Sequence, residues 1–166
     1  MIGVSISRIL VSLTSHQRVV LLKQDDVERY LAIWIGPYEA EAIALALQQV
    51  KPPRPQTHDL LKNMTEALGA TVSQILISTL EDNTFYARIA MDVDGRYAEI
   101  DSRPSDAMAL AVRCGVPIFV AEEVMDEAGI VPSPELDLVT PDEEERLSAY
   151  RDLLESLEDK ATDEDA

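Results

Sequence analysis

Two short segments, Arg54-Pro55-Gln56-Thr57-His58-Asp59 and Asp101-Ser102-Arg103-Pro104-Ser105-Asp106, each gather an arginine, a proline and an acid where a helix is about to begin. A helix start exposes unpaired N–H groups and the positive end of the helix dipole, and an arginine beside it grips a phosphate with two parallel hydrogen bonds. Carboxylates such as Asp59, Asp101 and Asp106 hold Mg²⁺ or Mn²⁺ together with phosphate oxygens and water. An ion held in that way activates water and offsets charge on a phosphodiester under attack. His58, one of two histidines in the chain, stands next to an acid and suits acid–base work or ligation.

These residue types make up the ingredients of phosphodiester hydrolysis. His58, Asp59, Asp101 and Asp106 are the candidate catalytic groups, and the three aspartates are the candidate metal ligands. Arg54, Arg103, Ser105 and Thr57 are the candidate substrate contacts. A plainer reading stands beside this one. An acid in a first helical turn stabilises the helix whatever its function, and arginines paired with such acids simply lock loops in place. The sequence has no Cys–His pair, Gly-rich phosphate loop or Cys-x-x-Cys cluster that would point to other chemistry. Met91, Met108 and Met125 read as core.

The elements that must position these groups follow from pattern and punctuation. Residues 3–13 alternate as a first strand, and Gln17–Gln24 with Glu28–Ile35 form a hairpin across Asp25-Asp26. Gly36-Pro37 opens a helix of about 13 residues with Glu39 in its first turn. Lys51-Pro52-Pro53-Arg54-Pro55 cannot continue it, and a second helix starts near Thr57 as N-cap and ends at Gly69. Residues 71–80 pair with Thr84–Asp92, and Arg96–Asp101 adds a strand after the Asp94-Gly95 turn.

Arg103-Pro104 then opens a third helix that runs through Arg113 and stops at Gly115 and Pro117. Pro117–Val120 is a short buried strand, and Ala121–Ala128 is a short helix ended by Gly129. Ile33–Ala40 parallels Ile100–Ala107 when proline is set on proline, which leaves an internal strands–helix duplication open beside two ordinary strand-to-helix junctions. The plan is α+β: a mixed, mainly antiparallel sheet with helices packed on it. It occupies residues 1–131. An acidic stretch, 132–166, follows, with an amphipathic helix over Pro141–Leu157.

The bulk numbers set limits. A chain of 166 residues with 46% hydrophobic content can bury one core. The lone Cys114 excludes an internal disulfide and suggests a cytoplasmic protein; no apolar run is long enough to span a membrane. Acids outnumber bases 31 to 14, a net charge of −17. Residues 135–166 carry −10 of that and residues 1–134 carry −7, so the ordered part is acidic by itself. That argues against a coat protein for nucleic acid, which relies on Lys and Arg, and leaves room for one local phosphate contact.

Four blocks carry a family resemblance: Tyr30–Gly36, Glu39–Ala44, Arg54-Pro55-Gln56-Thr57-His58-Asp59-Leu60 and Arg103-Pro104-Ser105-Asp106-Ala107-Met108-Ala109-Leu110-Ala111. In this order they resemble the bifunctional nuclease family over about residues 3–130. The resemblance implies an α+β fold, self-association and the cutting of both DNA and RNA. Nucleic acid is then the expected partner and a homo-oligomer, a dimer by preference, the expected assembly. The alternative is a non-catalytic binding or scaffold protein that uses the two Arg-Pro loops as an anion or partner pocket.

Overall fold

The computed structural model describes residues 1–11 and 17–132, and Met1–Ile130 form one unit. A second unit begins at Val131, of which Val131 and Pro132 are described. The expected acidic helix over 141–157 and the last residues of the expected first strand lie outside the described residues.

The described chain opens with a three-stranded meander, β1 (Ile2–Val11), β2 (Arg18–Gln24) and β3 (Tyr30–Ile35), that leads into α1 (Pro37–Leu47). Helix α2 (Thr57–Ala67) follows, then a second meander, β4 (Ala70–Glu81), β5 (Thr84–Val93) and β6 (Arg96–Ser102), that leads into α3 (Pro104–Cys114). The unit closes with β7 (Ile118–Val120), α4 (Glu122–Ala128) and β8 (Gly129–Ile130). All eight strands form one sheet in the order β6-β5-β4-β7-β1-β2-β3-β8. Among the described residues only the β4–β7 pairing is parallel. This is the mixed, mainly antiparallel α+β fold that the sequence predicts.

The local reasons are visible in the turns and caps. Asp82-Asn83 and Asp94-Gly95 both have positive φ at the two central positions, the backbone that matches the right-handed twist of the flanking strands. Pro37 and Pro104 sit in the first turns of α1 and α3, where a missing N–H costs nothing. Gly115 ends α3 at φ 67°, a left-handed position that favours glycine. Thr57 is not the N-cap of α2. Gln56 is, and the Asp59 carboxylate accepts its backbone N–H at 2.9 Å. The two-residue strand β8 carries no sequence signal of its own and forms by pairing Tyr30 and Leu31 with Ile130 and Gly129.

Helix α3 is the central helix. Its run from Ala107 to Ala111 is buried throughout, in one core with Ile43 of α1 and Ile75, Ile77 and Ile89 of the second meander. Both α1 and α2 pack against it. With α1 and α2 both packed on α3, the three helix starts are brought close together. Truncating Met108, which is fully buried, would cost about 2–5 kcal/mol.

Candidate functional site

The starts of α1, α2 and α3 contribute four polar side chains, two of them from α3, to a continuous chain of contacts. Glu39 of α1 accepts a hydrogen bond from Nη2 of Arg103 at 2.9 Å. The same guanidinium donates through Nε to Oδ2 of Asp106 at 2.7 Å. The other oxygen of Asp106, Oδ1, lies 2.9 Å from Nε2 of His58 on α2. Tyr38, Glu41, Ala42, Pro55, Gln56 and Thr57 complete the walls of a cleft of about 510 Å³ around Glu39, Arg103, Asp106 and His58.

Backbone geometry fixes much of this. Arg103 is the N-cap of α3 and Asp106 stands three residues later, the spacing at which two first-turn side chains meet. A Cβ at Gly36 would run into Oε2 of Glu39, so glycine there leaves the carboxylate its place beside Arg103. His58 is 8% exposed, which restricts its ring to few orientations. With the Asp106 carboxylate accepting at Nε2, the neutral imidazole carries its proton there and Nδ1 becomes the basic nitrogen.

The electrostatics agree with this geometry. Burial pushes the Asp106 carboxyl up, but hydrogen bonds from Arg103 and His58 outweigh it and hold the group below the ordinary carboxylate range. The bonds to Asp106 and Glu39 raise the Arg103 guanidinium above its usual value. Two of its five N–H donors are spent on these carboxylates, which leaves three for a further acceptor. The Arg103 side chain is 66% exposed, so a ligand in the cleft can reach it.

Asp59 belongs to a different contact. Its Oδ1 accepts from Nε of Arg113 at 2.6 Å, and Nη1 of Arg113 donates to the Ala109 carbonyl at 2.9 Å. Burial raises the Asp59 carboxyl, while the Gln56 N–H and Arg113 bring it below its ordinary value. Consecutive residues of α2 therefore hold the two ends of α3: His58 holds its first turn and Asp59 its last.

Asp101 is elsewhere again. Ile89 and Ile100 are cross-strand partners, and Ile89 belongs to the core under the helices, so Arg88 and its partner Asp101 point to the opposite face of the sheet. Asp59, Asp101 and Asp106 thus do not share one place. Among the described residues no three His, Cys, Asp or Glu side chains gather closely enough to hold a metal ion. Glu39 and Asp106 are already bridged by a guanidinium, which takes the position a cation would need. This donor set does not fit a resident divalent cation held by the protein alone.

The expected substrate contacts also divide. Arg103 and Thr57 line the cleft. Ser105 is 6% exposed and lies in the interior, not in the cleft lining. Arg54 is exposed beside Pro55, outside the lining, and no ion pair among the described residues holds it. Glu39 and Arg113 were not among the sequence candidates. Glu39 was legible as the counterpart of Asp106 when Pro37 is set on Pro104, and both acids do hold Arg103. Nothing local marks Arg113, a last-turn base until the packing of α2 on α3 is known.

A curled α+β sheet with three helix starts around a His–Asp–Arg–Glu cleft is the class of protein that fold and site define. Residues 19–133 match the family described as the bifunctional nuclease domain, well over half of the chain, and the chain belongs to that family. It is 42% identical over 144 residues to an uncharacterized protein of Mycobacterium tuberculosis, covering 86% of each chain. It is 29% identical over 134 residues to bifunctional nuclease 1 of Oryza sativa subsp. japonica, covering 77% of this chain and 40% of the rice protein. Bifunctional nuclease 2 of Arabidopsis thaliana is 28% identical over 131 residues, covering 76% of this chain and 40% of that one. The chain spans about two-fifths of these plant relatives' length. Their names place a nuclease function at the level of the family. Among the described residues no helix is long and apolar enough to cross a membrane.

Proposed function

We propose that the cleft hydrolyses phosphodiester bonds of DNA and RNA, with His58 as general base, Asp106 as its orienting carboxylate and Arg103 as the phosphate clamp. The observation that carries this reading is the unbroken chain from Glu39 through Arg103 and Asp106 to His58 around one cleft. Nδ1 of His58 takes a proton from water as the water oxygen bonds to phosphorus. The bond to the leaving sugar oxygen, opposite the incoming water, breaks; solvent water protonates that oxygen, and the imidazolium gives its proton back to solvent. Asp106 stabilises the imidazolium, and the three remaining Arg103 donors meet charge on the phosphoryl oxygens.

The Mg²⁺ or Mn²⁺ expected from the sequence enters this reading only as an ion that arrives with the substrate phosphates, and no step above depends on it. A homodimer is kept as the proposed assembly. Strand β6 ends the sheet, and its Tyr97 and Ile100 are 67% and 48% exposed, so an open apolar edge supports it.

The test is cleavage of single-stranded DNA and RNA by highly purified protein, run with EDTA and with a metal titration, beside Asp106→Asn. Asp106→Asn should lower cleavage by about 10²–10⁴-fold, the usual contribution of a positioned base. Full activity in this variant would end the assignment and point to a contaminating nuclease. One observation favours the plainer reading, in which arginines paired with first-turn acids lock the fold: both carboxylate partners of Arg103 belong to the chain itself, as a lock between α1 and α3 requires. Purified protein with no turnover, together with a large stability loss in Arg103→Ala, would support the lock.

A further inference from the structure

The cleft does not end at Tyr38. An adjoining groove of about 480 Å³ shares Tyr38 and Glu41 with it. Beyond these two residues the groove is mainly apolar, lined by Ile9 and Val11 of β1 and by Pro37, Ala40 and Ala44 of α1, with Arg18 of β2 as its other charged residue. The ring of Tyr38 stands on the divide, and the residue is 82% exposed.

We propose that this groove is a base subsite, in which the nucleobase next to the scissile phosphate stacks on Tyr38. The proposal rests on the phosphodiesterase reading of the cleft and adds the part of the substrate which that reading leaves unplaced. A nucleotide carries its anionic phosphate and its flat, largely apolar base only a sugar apart. The protein presents a polar cleft with an available guanidinium and an apolar groove, joined through one aromatic residue. Five of the eight residues that line the groove are hydrocarbon, and Arg18 and Glu41 carry opposite charges, so the groove as a whole suits a flat, largely apolar group better than a phosphate. A base does suit it, because every base has a face that stacks on an aromatic ring.

Chain order adds a second reason. Tyr38 immediately precedes Glu39, whose carboxylate is bonded to Arg103, so the base platform stands next to the residue that holds the phosphate clamp in place. Stacking on a side chain also requires a base free of its own helix, so the substrate this geometry selects is single-stranded. It does so without a broad basic surface, in keeping with a chain of net charge −17.

The test compares binding of a short phosphorothioate thymidine strand with binding of the same backbone lacking bases, by fluorescence anisotropy on the full chain. The unaltered protein should prefer the base-bearing strand by about tenfold, the scale of one base–aromatic stack. Tyr38→Ala should abolish that preference while leaving the affinity for the baseless strand, and Tyr38→Phe should retain it. The exposure of Tyr38 means that neither change threatens folding. The proposal is overturned if Tyr38→Ala keeps the preference or weakens both strands equally. It is equally overturned if the unaltered protein binds neither strand, or if light scattering shows that Tyr38→Ala changes only self-association. Failure of the cleavage reading shows separately: Asp106→Asn would then cleave like the unaltered chain, whatever the binding ratio.

Discussion

Arg54 and Arg103 stand in near-identical company, each directly before a proline and a few residues ahead of a first-turn acid, yet the fold uses them in opposite ways. Arg103 is the N-cap itself, its proline opens the helix, and Asp106 lies three residues on, within reach of Nε. In the other segment the helix begins two residues after the proline, Gln56 takes the N-cap, and Asp59 is five residues beyond Arg54. Asp59 is bonded instead to Arg113, which arrives from α3, and Arg54 is left exposed. Where the first helical turn begins relative to the proline decides whether the arginine joins the carboxylate network. The shared Arg-Pro pair does not.

That contrast can be broken or sharpened by substitution. Arg103→Ala should lower cleavage by about 10²–10³-fold, the cost of losing one donor aimed at developing charge. Arg54→Ala, measured in the same assay, should change it only a few-fold, through KM rather than kcat. Similar losses in the two variants would mean that exposed Arg54, not the paired Arg103, meets the phosphate. Arg113→Ala should act on stability. Its side chain is 7% exposed, and removing it leaves the partly exposed Asp59 carboxylate with the Gln56 N–H alone, a loss of about 1–3 kcal/mol readable in urea unfolding.

Acid should expose the same division. Asp59 and Asp106 both ionise more readily in the folded chain, so each contributes stability that is fully present above the ordinary carboxylate range. That contribution is lost as pH falls through their folded values. The urea midpoint should therefore drop between neutral pH and about pH 3, and Asp59→Asn and Asp106→Asn should each flatten the drop. Asp101→Asn is the smallest effect. On the far face of the sheet it should leave both cleavage and the acid profile near those of the unaltered protein, and a large loss of cleavage would relocate the site.

Much of the fold was legible because it is written locally. Alternating residues gave the meanders, Asp94-Gly95 gave a turn, and Pro37, Pro104 and Gly115 marked helix ends. The site was legible only in part, since His58, Asp106 and Arg103 sit in a recognisable first-turn pattern. What escaped depends on tertiary placement. The sequence shows Asp101 close to Asp106 along the chain, but strand alternation turns it to the other face. Ser105 reads as a polar loop residue until α3 is seen to sink into the core. Glu39 and Arg113 gained their partners only when α1 and α2 settled on α3, and β8 exists only because β3 offers an edge.

Strand β7 is three residues long, yet it joins the two meanders, parallel to β4 on one side and antiparallel to β1 on the other. Its residues follow every element that lines the cleft. On the ribosome, therefore, both halves of the sheet and all three helix starts are translated before the segment that joins the halves into one sheet. A nascent chain stopped short of Ile118 lacks the strand that joins the two three-stranded meanders, and release of the next few residues is the step at which they can become a single sheet.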